Sequence, residues 1–296
     1  MNLTAFLYLA VYLAVFFGGF VLVIKIRKRF KKRRPPLEFE YIRSPGDSLE
    51  ERIGQKNEKL PNLLILGLLV PFTAFLIAFA TIYILYPTAT GIFWIPVCSL
   101  AALAGFGLSF RVLINAFQEL ANLELGLEGE RIVANSLKPI EREGWWVFHD
   151  VPASNNGEKF NLDHVAIGPS GIALIETKTR SKRKAIGNRK DHVVTFDGRK
   201  LTWPWGVSTS ELEQLKRQRK WLENWIQDRT GKSITILPIL TIPGWWIESS
   251  NPKARTRVVN HKTLCSAVRG NNKRTLDDET IDLFSRQLES LCLLKK

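Results

Sequence analysis

The chain has 296 residues, of which 45% are hydrophobic, and a formal net charge of +14 at pH 7. This length allows one good-sized globular domain and a further region, and the apolar residues are concentrated before residue 115. The three cysteines form no CxxC pair, which excludes a disulfide framework and a cysteine-based zinc site as the basis of the fold.

Three apolar stretches predict membrane spans at residues 5–26, 63–86 and 91–114, and none of them contains an acidic residue. Each is close to the roughly 20 residues that cross a bilayer core. No positively charged residue precedes the first stretch, so an uncleaved anchor is favoured over a signal peptide. The other two lack the polar stripe of a soluble core helix, which favours a transmembrane pair over a buried hairpin.

A basic run, KIRKRFKKRR at residues 25–34, follows the first stretch directly. Because positively charged loops stay on the cytoplasmic side, this run predicts a multi-pass protein of the inner (cytoplasmic) membrane with its N-terminus outside. The expected organisation is a transmembrane helix at 1–26, a basic cytoplasmic linker at 27–62, transmembrane helices two and three at 63–114, and a cytoplasmic domain at 115–296. Within the linker, residues 48–51 (SLEE) have the spacing of a capping box and predict a short helix.

The charge of the C-terminal part has two interpretations. Residues 121–296 contain 29 Lys and Arg and 21 Asp and Glu, a net charge of about +8. Such a charge is compatible with an anionic partner such as nucleic acid, although many soluble domains reach it without one.

The same part predicts an α/β core with a mixed sheet. A helix is expected at 123–137, a strand at 145–151, a hairpin of strands at 161–167 and 171–179, and a ribbon from 192–195 and 201–203. A long helix at 209–229, a buried strand at 233–242, a strand at 257–260 and a helix at 277–293 complete the pattern.

The hairpin turn brings two acidic residues together. A two-residue loop at Pro169-Ser170 sets a register in which Asp163 lies directly opposite Glu176. Like charges that face each other on one sheet surface repel, and a divalent cation between them is the simplest compensation. The alternation of side chains along a strand places Lys178 on the same side.

A third acidic residue, Glu130, lies on the predicted first helix. It shares a stripe with apolar residues at i+3, i+4 and i+7: Val133, Ala134 and Leu137. An unpaired carboxylate on a buried face is costly, and a metal site would give it a partner. The alternative is a position at the rim of the helix, in water, and the spacing favours neither.

Four ordered segments resemble the successive motifs of the nuclease-related domain (NERD) family, which is similar to the PD-(D/E)XK restriction-endonuclease-like superfamily. They are residues 126–130 (GLEGE), 162–165 (LDHV), 168–172 (GPSGI) and 175–178 (IETK). Gln214 resembles part of the later helical motif, so the resemblance covers about residues 122–240. It implies a restriction-endonuclease-like mixed sheet flanked by helices.

By that resemblance, Asp163 and Glu176 would bind Mg²⁺ or Mn²⁺, and Lys178 would orient or activate the attacking water. Glu130 and Gln214 would be auxiliary catalytic residues. The implied activity is hydrolysis of phosphodiester bonds in nucleic acid, with DNA as the expected substrate and the lipid bilayer as a second partner. The alternative is a non-catalytic nucleic-acid-binding module or a membrane-tethered scaffold or sensor.

The chain departs from the family after Lys178, where a short glycine-containing turn is common. Here residues 180–184 read RSKRK, and their basic side chains are candidates for substrate binding: Arg180, Lys182, Arg183 and Lys184. This run either contacts phosphates or forms a solvated loop near anionic lipid headgroups.

Overall fold

The computed structural model describes residues 40–85, 89–187, 190–251, 253–270 and 273–295. Residues 42–293 form one compact unit, and the described residues outside it, 40–41 and 294–295, belong to a second, smaller one. The described residues of the smaller unit belong to two short strands that pair with each other, β1 (Glu40–Ile42) and the last strand of the chain, Leu293–Lys295.

Two long helices that contact each other come next, α1 (Asp47–Leu85, 39 residues) and α2 (Ala89–Glu141, 53 residues). Both contain segments long and apolar enough to cross a membrane, and only 6% of the most apolar window of each is buried. The exposed fraction reaches 68% at Ile77 and 70% at Leu100. A helix that is apolar on all sides and uncovered by protein has the surface that lipid requires.

The described residues therefore contain two candidate spans, whereas the sequence predicted three for the whole chain. The predicted spans at 63–86 and 91–114 lie in α1 and α2 apart from residue 86, while the span at 5–26 and the basic run lie outside the described residues. The helix expected at Ser48 is not short, because α1 begins at Asp47 and continues through Pro61 to Leu85. Residues 49–60 are rich in good helix formers, and no turn separates them from the apolar segment.

Beyond α2, the chain forms β2 (Trp146–Asn155), β3 (Glu158–Gly168), β4 (Gly171–Thr177), β5 (Val193–Phe196), β6 (Leu201–Trp203), β7 (Gly206–Ser208), α3 (Ser210–Thr230), β8 (Leu237–Thr241), β9 (Trp246–Ser249), β10 (Arg257–Val259), a 3₁₀ helix (His261–Thr263), α4 (Leu264–Arg269), α5 (Asp278–Cys292) and β11 (Leu293–Lys295). The helix, strand, hairpin, long helix and buried strand that the sequence predicts at 123–137, 145–151, 161–179, 209–229 and 233–242 are observed as the end of α2, as β2, as β3 with β4, as α3 and as β8. The helix expected at 123–137 is the C-terminal part of α2, because no helix breaker separates it from the apolar segment.

The central sheet has five strands in the order β10-β8-β4-β3-β2. β10, β8 and β4 are parallel, whereas β4, β3 and β2 are antiparallel hairpin partners. A second sheet has the order β7-β6-β5-β9. The domain is therefore a mixed α/β fold with flanking helices, as the sequence predicts.

Each face of the central sheet carries its own apolar cluster, because alternate side chains of a strand point to opposite faces. On one face, α2 packs against β3 and β4 through Val133, Leu137, Ile140, Ala166, Ala173 and Ile175. On the other face, α3 packs against the same strands through Leu215, Leu222, Ile226, Val165, Ile167, Ile172 and Leu174. The two helices enclose the sheet, and the candidate site lies where β4 ends.

Candidate active site

The β3–β4 hairpin has the register that its turn predicts. Gly168 pairs with Gly171, and the ladder continues in step to His164 opposite Ile175. The next position places Asp163 opposite Glu176. Asp163 Oδ2 accepts a hydrogen bond of 2.7 Å from the backbone N–H of Thr177, which anchors the aspartate to the end of β4.

Glu176 is the most deeply buried carboxylate of this group, with 1% of its surface exposed. Its Oε1 accepts from Lys178 Nζ at 2.7 Å and from Gln214 Nε2 at 2.7 Å. Its other oxygen, Oε2, is buried and has no hydrogen-bond partner among the described residues. The glutamate is therefore held by one oxygen, and the second is left for another ligand.

Lys178 and Gln214 reach Glu176 from different elements. Lys178 follows β4 directly, and its backbone N–H donates to Thr241 O at 2.9 Å, so that it is aligned by the parallel strand β8. Gln214 lies in the second turn of α3. Burial lowers the pKa of Lys178, but the charge of Glu176 and the hydrogen bond to it outweigh burial, and the pKa is raised overall. Lys178 is thus a fixed positive charge at the site.

Glu130 enters the site from α2 through a close approach of that helix to β4. A Cβ atom on Gly129 would lie 2.0 Å from Thr179 Cγ2, so only glycine allows this contact. Glu130 is buried, with 8% of its surface exposed, and its Oε2 has no hydrogen-bond partner within the described part of the chain. Of the two positions left open by the sequence, the structure places Glu130 in the interior.

The electrostatics join the three carboxylates into one site. Burial, followed by the charges of Asp150 and Glu176, raises the pKa of Glu130 to about 8. Burial, followed by the charges of Glu176 and Glu130, raises the pKa of Asp163 well above its usual range. These groups resist being ionised together, and a bound cation would relieve that repulsion.

The donor set suits a hard divalent cation, since Mg²⁺ prefers oxygen ligands and often binds through one or two carboxylates with water completing its shell. The unpartnered Oε2 atoms of Glu130 and Glu176 are suitable oxygens. However, no group of three or more His, Cys, Asp or Glu among the described residues is arranged to hold a metal ion. A metal here would depend on Asp163, Glu176 and water.

The basic loop after Lys178 divides into two parts. Arg180 donates to the buried Glu211 at 2.5 Å and lies 5.2 Å from the Trp203 ring centroid, so its guanidinium is ion-paired although 43% of the side chain is exposed. Lys182, Arg183 and Lys184 are exposed, and the Arg183 guanidinium lies 5.9 Å from the centroid of Trp205. The structure separates Arg180 from the other three because Glu211 is its nearest counter-charge.

Sequence reasoning missed two buried acids, Asp150 and Glu211, each with 2% of its surface exposed. Glu211 lies at the start of α3 and accepts hydrogen bonds from Ser208 Oγ at 2.5 Å and from Arg180. Burial alone would raise the pKa of Glu211, but the hydrogen bonds from Ser208 and Arg180 lower it overall. No pattern in the sequence pairs Glu211 with Arg180. Asp150, in contrast, could have been found from the turn between β2 and β3.

One of three comparisons with known proteins found a match. No curated protein and no solved structure matched the chain. The family model of the nuclease-related domain, NERD, matches residues 125–243. This segment includes all five candidate catalytic residues: Glu130, Asp163, Glu176, Lys178 and Gln214. Residues 125–243 are thus similar to the nuclease-related domain family.

Proposed function

We propose that this chain is a membrane-anchored, Mg²⁺-dependent nuclease that hydrolyses phosphodiester bonds of DNA. The observation that carries the proposal is that the two carboxylate oxygens of Glu176 have different surroundings. Its Oε1 is engaged by Lys178 and Gln214, while its Oε2 is buried without a partner among the described residues. A buried carboxylate oxygen without a partner is costly, and a metal ion would compensate for it.

The proposed roles follow from the contacts. Asp163 and Glu176 would hold Mg²⁺ or Mn²⁺, and the bound ion would supply an acidified water and neutralise charge on the phosphoryl oxygens. Gln214 keeps Glu176 in place through its hydrogen bond of 2.7 Å. Lys178 presents a positive charge where negative charge develops on the phosphate. Without metal, burial and the charges of Asp150 and Glu176 raise the pKa of Glu130 to about 8, so Glu130 resists ionisation beside the other carboxylates until a cation binds.

The deciding experiment is to incubate the full-length protein, purified in detergent, with plasmid, linear and single-stranded DNA and with RNA, with and without Mg²⁺. Mg²⁺-dependent cleavage of DNA would support the proposal. Cleavage of RNA but not of DNA would support the proposed chemistry and show that the substrate is RNA. Absence of cleavage in the presence of either metal would contradict the proposed activity.

The rival function is a non-catalytic module, and one observation favours it: no three-ligand metal cluster is found in the described part of the chain. A domain that retains the fold but only binds nucleic acid would bind in a salt-dependent way without cleaving. A membrane-tethered scaffold or sensor for a protein partner would not bind nucleic acid at all.

The basic loop gives a test of substrate binding. Replacing Lys182, Arg183 and Lys184 with Ala is expected to weaken DNA binding regardless of sequence, because exposed cations that bind phosphates release counterions. The slope of log affinity against log salt concentration should fall by about one unit for each phosphate that is no longer bound. Fluorescence anisotropy with a labelled duplex at several salt concentrations measures this slope.

A matched control removes three positive charges elsewhere, by replacing Lys273, Arg274 and Arg286 with Ala. The backbone N–H groups of Thr275 and Leu276 donate to Pro169 O, which places Lys273 and Arg274 near the β3–β4 turn, at the opposite end of β4 from the candidate site, and Arg286 lies in α5. The control should change the slope less than the loop variant. If the loop variant leaves the slope unchanged, the basic run faces the membrane or bulk solvent instead.

We also propose that α1 and α2 anchor the chain in the inner membrane with the nuclease-related domain in the cytoplasm. The exposed apolar surface of both helices supports this, and the basic run at residues 25–34 sets the orientation. A reporter fused after Lys296 should be active only if it functions in the cytoplasm, whereas one inserted between residues 87 and 90 should be active only outside. The reverse pattern would overturn the orientation.

A further inference from the structure

A third acidic residue stands in the same row of the sheet as Asp163 and Glu176. β2 and β3 pair His149 with His164 and Val151 with Leu162, so the position between them places Asp150 opposite Asp163. Three neighbouring strands thus carry a carboxylate at one level. Because like charges directly opposite one another destabilise a sheet, such a row needs compensation.

The backbone and four hydrogen bonds provide that compensation at Asp150. Its φ of 48° is a left-handed conformation that a non-glycine residue seldom adopts. Its carboxylate accepts from Arg43 Nη1 at 2.6 Å, from Ser48 N and Oγ at 3.0 and 2.6 Å, and from Asn161 Nδ2 at 2.7 Å. Arg43 supplies the counter-charge, and Ser48 supplies one of the backbone N–H groups that the first turn of α1 leaves unpaired.

The segment that binds Asp150 also covers the candidate site. Gly46 is buried and has a φ of +78°, and a Cβ atom there would lie 2.3 Å from Leu127 Cδ1 and 3.6 Å from Glu130 Oε2. Residues 43–48 therefore lie against the part of α2 that carries Glu130. Since Ser48 belongs to α1, the N-terminus of the first apolar helix is attached to the site.

We infer that Asp150 and Arg43 are positioning residues of the proposed metal site: residues 43–48 hold the Asp150 carboxylate in place, and Arg43 is its counter-charge. This inference rests on the proposed function. It gives the position of α1 a direct effect on the site, because a displacement of that helix removes the counter-charge and the hydrogen bonds of Ser48 together.

The charge of Asp150 reaches the site in the present arrangement, since it contributes, after burial, to the raised pKa of Glu130. Loss of either partner of the Arg43–Asp150 ion pair leaves the other uncompensated. Without Arg43, the site gains one net negative charge and should attract Mg²⁺ more strongly. Without the Asp150 charge, it gains one net positive charge and should attract Mg²⁺ less. A structural role alone does not produce these opposite signs.

The test measures the Mg²⁺ concentration that gives half of the maximal rise in melting temperature, with the full-length protein in detergent and without nucleic acid. Asp150→Asn should raise this midpoint about three- to tenfold, and Arg43→Gln should lower it by a similar factor. The double variant should return close to the wild-type value. Arg43→Lys keeps the charge and should also resemble the wild type.

Arg131→Gln is the matched control, because Arg131 of α2 pairs with Glu50 in the first turn of α1 at 2.9 Å, but through exposed side chains. It should leave the midpoint unchanged. If Asp150→Asn does not fold, the comparison of Arg43→Gln with Arg43→Lys still decides. Midpoints that stay at the wild-type value, or that all shift in one direction, would overturn this inference but not the proposed function. A wild-type protein without any Mg²⁺-dependent stabilisation would overturn the proposed function and this inference with it.

Discussion

Asp163→Asn is expected to abolish DNA cleavage and Mg²⁺-dependent stabilisation while leaving the metal-free protein at least as stable as the wild type. Asn retains an acceptor for the Thr177 N–H, so the local geometry is kept. It removes a negative charge that burial, Glu176 and Glu130 all make unfavourable, as the raised pKa of Asp163 indicates. Relief of such repulsion contributes roughly 0.2–1 kcal/mol to the free energy of unfolding.

Three measurements check this expectation. Thermal melting without metal should show an equal or higher midpoint, melting with Mg²⁺ should show no further rise, and cleavage should fall by at least about 10³-fold, because a metal contributes several kcal/mol to the transition state. Glu176→Gln should lose metal binding and cleavage as well. Its metal-free stability should gain less, because Lys178 loses its ionic partner. If Asp163→Asn cleaves like the wild type, the pair of carboxylates is structural.

The facing carboxylates could be predicted from the sequence because a tight turn fixes a strand register. Once Pro169-Ser170 is taken as a two-residue loop, each position of β3 has a defined partner on β4, and the observed ladder follows that register as far as His164 and Ile175. The burial of Glu130 could not be decided in the same way. Its helical stripe was visible, but the depth of the helix depends on the contact between Gly129 and Thr179, which are distant in sequence.

Asp150 could have been found by the same counting. Asn156-Gly157 is the turn dipeptide most typical of a two-residue hairpin, and both residues have a positive φ in the structure. Counting outwards from it places Asp150 opposite Asp163, which agrees with the ladder on both sides. The partners of Asp150 are different, since Arg43 is 107 residues away in sequence. A local sequence pattern contains no information on a contact between residues so far apart in the chain.

For the helices, composition was informative but the predicted helix boundaries were wrong. Composition correctly identified apolar segments in α1 and α2, but it placed a linker and a separate soluble helix where the structure has continuous helices. Helix propensity favours continuation across residues 114–123 of α2, whereas Pro61 disfavours it in α1, where the helix nevertheless continues. Arg180 likewise belongs by sequence to the basic run, yet in the structure it pairs with Glu211, because a buried carboxylate is costly without a charged partner.

Lys178→Met is expected to reduce cleavage by about 10²–10³-fold and to keep Mg²⁺ binding, which separates it from the carboxylate variants. Lys178 Nζ contacts Glu176 Oε1 and leaves Oε2 unoccupied, so the lysine is not needed as a ligand. Its proposed role is to stabilise charge that develops in the transition state, and loss of one such donor has effects of this size. Met retains most of the length and apolar surface of the side chain.

Cleavage and Mg²⁺ binding should respond differently to Lys178→Met for a physical reason. Without Lys178, the buried Glu176 retains only the hydrogen bond from Gln214, so the metal-free protein should melt a few degrees lower. The rise in melting temperature on adding Mg²⁺ should be as large as in the wild type or larger, because the cation then replaces the missing positive charge. Single-turnover cleavage at saturating Mg²⁺ measures the loss in the chemical step. If Lys178→Met loses the Mg²⁺-dependent rise together with cleavage, the lysine organises the metal site itself, and its assignment to the transition state is wrong.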